Sequence, residues 1–146
     1  MIRFNPRVWG FSDYPKEIIQ KVPPQTEKEK NLARIIYIPF LLFGLGFPII
    51  STLILENQIY EGRIDFIGAF LNIFIILMFG NIFDLIILDL IIVGTITPKF
   101  VIIKGTEEMK DAEYKDFRIS HAIAHLKGTI LLAFISIAIA LILWFF

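Results

Sequence analysis

Three long apolar runs separated by polar stretches set the pattern of the chain. The first is 32–55, LARIIYIPFLLFGLGFPIISTLIL. The second runs from 66 to about 94, and the third is GTILLAFISIAIALILWFF at 128–146, with SHAIAHLK leading into it. A helix needs about 20 apolar residues to cross the hydrocarbon of a bilayer, and each run meets that length. The pattern predicts an all-α integral membrane protein with spans at 32–55, 66–94 and 121–146. Segments 1–31 and 97–120 remain as a small polar cap. The second run can also be cut at Gly80–Asn81, giving four shorter spans.

Charge separates these alternatives. Seven Lys and Arg lie before or just inside the first span: Arg3, Arg7, Lys16, Lys21, Lys28, Lys30 and Arg34. The loop ENQIYEGRID holds only Arg63, and six more lie between Lys99 and Lys127. Cytoplasmic loops carry the excess of positive charge. Three spans place both rich segments, and the N-terminus, in the cytoplasm of a multi-pass cell-membrane protein. Four spans export a rich one, so three are preferred.

Local signals refine the helices. TEKE at Thr26–Glu29 is a capping box, in which Thr and Glu each serve the other's backbone N–H, so the first helix is expected to start there. Pro39 and Pro48 each remove a backbone hydrogen bond and are expected to bend it. GTEE offers a second N-cap at Thr106, predicting a short cytoplasmic helix from Glu107 to about Arg118. TPKFVII breaks at Pro98. NPRVWGFSDYP, with Trp9, Phe11 and Tyr14, is either a flexible tail or a segment lying on the leaflet or against the loop after the second span.

Composition agrees with a membrane class. Hydrophobic residues are 56% and charged residues 19% of 146, and mean hydropathy is +0.72. Soluble domains have about 45–50% apolar and about 25% charged residues. Net charge is zero, so no global field points to nucleic acid. The absence of Cys excludes disulfides, thiolate metal sites and Cys nucleophiles. The first 31 residues contain no apolar core of signal-peptide length. Richness in Ile, Lys and Asn suggests a prokaryotic source.

Asp84 and Asp89 interrupt the second run. Counting 1.5 Å per residue from Phe66 puts Asp84 at the inner edge of the hydrocarbon and Asp89 about a turn beyond, where a carboxylate costs less than at the midplane. Asn81 lies one turn deeper. His121 and His125 enter the third span at the same level, four apart on one face. That face continues as Thr129, Ala133, Ser136 and Ala140, a stripe of small residues that lets membrane helices pack closely. This face therefore points into the helix bundle or into an interface, with another copy of the chain in a homo-oligomer or with another membrane protein, and not into lipid. On an ideal α-helix Asp84 and Asp89 stand about 140° apart, so both face one centre only if that centre is wide or the helix is distorted at Gly80.

This layer supports several readings. The carboxylates can simply pair with bases and fix helix register. His121 and His125 with Asp84 or Asp89 form a two-His, carboxylate set for a divalent metal, although the Glu of the HExxH metalloprotease pattern is missing from HAIAH. Arg34, Lys99, Lys115 and Lys127 can bind phosphate or a lipid headgroup at an anionic leaflet, with Asp84 or His121 as candidate catalytic acid or base. These two readings make a metal- or headgroup-dependent enzyme the alternative to an accessory or interaction protein. A proton or cation transporter using Asp84 and Asn81 is the third possibility. It needs an oligomer, because the mid-membrane is nearly free of polar groups.

FDLIILD, ITPKFVIIKGTEE, YKDF and HLKG, between Phe83 and Gly128, resemble a stretch of small prokaryotic multi-span membrane proteins of no assigned function. The resemblance implies a three- or four-span α-helical protein, carries no activity, and places TPKF and YKDF in the cap.

Overall fold

The computed structural model describes residues 5–111 and 113–145; the side chains of Glu113, Lys115, Asp116, Phe117 and Ser120 lie outside the described residues. Helix α1 is Lys16–Lys21, α2 is Glu27–Gln58, α3 is Phe66–Phe83, and α4 is Glu113–Phe145. The chain is all-α, and no strand occurs among the described residues. Glu27–Gln58, Phe66–Ile96 and His121–Phe145 are long and apolar enough to cross a membrane, so this is a multi-pass α-helical membrane protein. The chain divides into two compact units, Met1–Ile38 with Phe83–Ala124, and Pro39–Ile82 with His125–Phe146.

In the first unit, the described residues before α2 form a packed segment rather than a free tail. Phe11, Tyr14 and Ile18 pack with Val101, Ile103, Met109 and Tyr114 in one buried core. This core joins the stretch before α2 to the stretch after the second apolar run. Hydrogen bonds fix it. The Tyr14 hydroxyl donates to the Val101 carbonyl at 2.7 Å. The Tyr114 hydroxyl accepts from the Ile103 N–H at 2.9 Å and shares a proton with Thr106 Oγ1 at 2.8 Å. Burial, reinforced by Tyr114 and Asp13, pushes the Tyr14 phenol above its ordinary pKa.

The capping box forms as expected. Glu29 accepts the Thr26 N–H at 2.8 Å, and Thr26 Oγ1 accepts the Glu29 N–H at 3.2 Å. Arg7 then grips the same carboxylate through Nε at 2.7 Å and Nη2 at 3.1 Å, and donates to the Pro23 and Pro24 carbonyls. Thus the first turn of α2 is also a docking point for the N-terminal segment.

Three local expectations are corrected. Thr106 does not cap a helix: its hydroxyl turns inward and donates to the Ile103 carbonyl at 2.8 Å. Only a 3₁₀ turn forms at Glu107–Met109, and α4 runs unbroken from Glu113 into the third apolar run, so among the described residues no separate α-helix covers Glu107 to Arg118. The continuation of α3 also changes character. Asp84–Ile96 forms a π-helical segment of 13 residues, with i→i+5 bonds exemplified by the Thr97 N–H to the Ile92 carbonyl at 2.8 Å. Thr97, in the left-handed region at φ 45°, ends the segment, and a turn from Pro98 to Val101 follows.

In the second unit, Ile64, Ala69, Ile73 and Ala140 form the buried core. Asn72 donates to Thr52 Oγ1 at 2.9 Å and to Ser51 Oγ at 3.3 Å, tying α3 to α2. The Thr52 hydroxyl donates to the Pro48 carbonyl, and α2 runs through both prolines. Ser136 and Ala140 of the small stripe are fully buried within the chain. These two positions of the stripe therefore pack within the chain, as the bundle-facing alternative expects.

Candidate functional site

The π-helical segment decides which acid meets which base. An i→i+5 helix takes more residues per turn than an α-helix, so the 140° separation of Asp84 and Asp89 expected of an α-helix does not apply. Gly94, also in this segment, makes room for the neighbouring helix. A Cβ there would lie 2.7 Å from Arg118 Cγ and 3.0 Å from the Asp89 carbonyl oxygen. The Arg118 stem therefore crosses the segment directly over a glycine.

Asp89 is buried, at 8% exposure. Its Oδ2 lies 2.6 Å from His121 Nδ1, and His121 Nε2 lies 3.0 Å from the backbone carbonyl of Asp13. A carbonyl only accepts, so Nε2 carries hydrogen and donates to it. The short Nδ1–Oδ2 contact is a second hydrogen bond, so both ring nitrogens of His121 are engaged. The bond to Asp13 also fixes the ring, as a second-shell carbonyl does for a metal-ligating histidine.

Asp89 and His121 are thus the pair that could hold a cation, with His125 one turn further along α4. Two ligand atoms on a tetrahedral ion at bond lengths near 2 Å stand about 3.3 Å apart. At 2.6 Å, Nδ1 and Oδ2 have the separation of a hydrogen bond instead. A metal would have to spread them and break that hydrogen bond.

The second unit contains the other histidine. His125 Nδ1 is 2.8 Å from Asn81 Oδ1, and the Asn81 amide donates to Thr129 Oγ1 at 3.3 Å and the His125 carbonyl at 3.4 Å. These contacts tie α3 to α4. Asp84 is half-buried in the π-helical segment. Among the headgroup candidates, Arg34 is exposed and donates to Asn31 within its own helix, and Lys99 and Lys127 are exposed. The Lys115 side chain lies outside the described residues. An open cleft in the second unit is lined by Tyr60, Asp65, Phe66, Ile67, Gly68, Leu71 and Trp144, and none of the candidate residues borders it.

The sequence placed Asp89 and His121 at one level but left their contact open, and Asp13 was missed. A backbone carbonyl has no side-chain signature; only the ordered packing of the N-terminal segment brings it to the ring. The fold and this geometry define a multi-pass α-helical membrane protein carrying a buried Asp–His pair. No protein-family model, no curated protein and no solved structure matches the chain.

Proposed function

We propose that this is a non-catalytic accessory protein of the cell membrane, with its N-terminus in the cytoplasm and a cap presented to another membrane protein. The Asp89–His121 pair acts as a latch in this reading, holding the N-terminal segment against the π-helical segment and α4. One observation carries it: both ring nitrogens of His121 are engaged within the first unit, one by the Asp89 carboxylate and one by the Asp13 carbonyl. A general base or metal ligand needs a ring nitrogen facing substrate or ion. The cytoplasmic assignment is supported by the Lys and Arg distribution.

Metal analysis and limited proteolysis test this proposal together. Purified protein is expected to lack stoichiometric zinc, iron or manganese. Asp89→Asn and His121→Gln are expected to accelerate tryptic cleavage after Lys16 and Lys21 while leaving total helicity unchanged. Stoichiometric metal that disappears in the His121→Ala, His125→Ala double variant would replace the latch with a metal centre. Unchanged cleavage in both single variants would remove the latch.

A further inference from the structure

Among the described residues of the cap, two large apolar side chains stand exposed, Phe100 and Ile119. Among the described residues, every exposed large apolar side chain lies in the three long helices, apart from Ile59 and Tyr60 in the loop after α2, and Phe100. Phe100 is 52% exposed while its neighbours Val101 and Ile103 are buried at 4% and 1%. It follows the end of the second apolar run by four residues, and the exposed Lys99 and Lys104 flank it. Ile96, the last residue of that run, is itself 57% exposed.

We infer that Pro98–Lys104 is a leaflet anchor: Phe100 enters the boundary between headgroups and acyl chains, and Lys99 and Lys104 meet lipid phosphates. The occupant is an anionic phospholipid leaflet. Three arguments select it. A span's end lies at headgroup depth, so the turn after Ile96 leaves the chain there. An aromatic ring gains at that depth by leaving water, as interfacial aromatics do. Two lysines complement the negative surface potential of an anionic leaflet, which acts within a Debye length of it. The turn itself is built for this, because the Val101 N–H bonds the Pro98 carbonyl at 2.9 Å and projects Lys99 and Phe100 from its two central positions. The anchor is independent of the Asp–His latch, as its residues take no part in that pair.

The absence of Cys makes single-thiol labelling direct. Phe100→Cys, Phe43→Cys and Lys21→Cys are each spin-labelled in the full chain and reconstituted into vesicles of phosphatidylcholine with phosphatidylglycerol. Access of the label to oxygen and to a water-soluble nickel chelate is then measured. The site at 100 is expected to resemble Phe43, open to oxygen and closed to nickel, and to shift toward the Lys21 behaviour when Lys99→Glu and Lys104→Glu are added or phosphatidylglycerol is omitted. A label at 100 as open to nickel as the one at 21 overturns the anchor. A label closed to both reagents also overturns it and identifies a protein contact instead. No response to either charge change overturns the anionic-lipid part. Phe100→Trp, with Trp9 and Trp144 replaced by Phe, gives a gentler second probe: brominated acyl chains should quench it, and unquenched emission counts against the anchor.

Discussion

The Asp89 and His121 side chains are 12% and 14% exposed, a degree of burial at which a pair cannot lose one member cheaply. Breaking a buried side-chain hydrogen bond costs about 1–3 kcal/mol. Asp89→Asn should therefore destabilise the protein by about that much, read as a lowered midpoint of denaturation in detergent. Asp89→Asn with His121→Asn should cost less than the sum of the single changes, the signature of direct coupling in a double-mutant cycle. Tyr114→Phe tests the cap in the same way. It leaves the buried Ile103 N–H without its acceptor, at a cost of about 1–3 kcal/mol. Tyr14 adds a pH limb. Its folded pKa is raised, chiefly by burial, so its contribution is complete below the ordinary phenol value of about 10 and is lost as pH climbs beyond it. Tyr14→Phe should flatten alkaline unfolding measured by circular dichroism. The residue types of the site were legible because carboxylates and imidazoles are rare in apolar runs. Their pairing was not, because it depends on a change of helix type that no residue announces.

Elements with a purely local cause were readable, and those with a tertiary cause were not. The capping box at Thr26 needs only its own four residues, and it forms. Thr106 presents the same local signal, yet its hydroxyl is drawn into the core by Tyr114 and the Ile103 carbonyl. The π-helical segment is the clearest case. Its residues form an apolar run suited to an α-helix, and widening the helix narrows the angle between Asp84 and Asp89 from its α-helical value. Two glycines near this element should respond oppositely to alanine. Gly80 in α3 has nothing within 4 Å of an added Cβ, so Gly80→Ala should be neutral or stabilise by up to about 1 kcal/mol through helix propensity. Gly94→Ala forces a Cβ against Arg118 and the Asp89 carbonyl and should cost about 1–3 kcal/mol by overpacking. Thermal unfolding of the two variants in one detergent compares them directly; a Gly94→Ala protein as stable as the parent would mean that the π-helical segment relaxes freely.

At the scale of the whole molecule, periodicity and charge reach furthest, because crossing a bilayer imposes demands that composition alone can meet. Helix number follows from run length, while the concentration of Lys and Arg gives an expectation for orientation that labelling tests. The three-span arrangement makes a sharp prediction about access. With Cys absent, Lys21→Cys, Arg63→Cys and Lys104→Cys each introduce one thiol into an exposed position. A membrane-impermeant maleimide applied to intact spheroplasts should label Arg63→Cys alone, and the other two only after lysis. The packing of Tyr14 and Ile18 with Val101 and Ile103 requires the N-terminal segment and the stretch after Ile96 to share one side. Lys21→Cys and Lys104→Cys must therefore behave alike whichever way the protein is inserted. Labelling of both before lysis would reverse the orientation and keep the fold. Labelling of Lys104→Cys without Lys21→Cys would contradict the shared core itself and restore the four-span alternative cut at Gly80–Asn81.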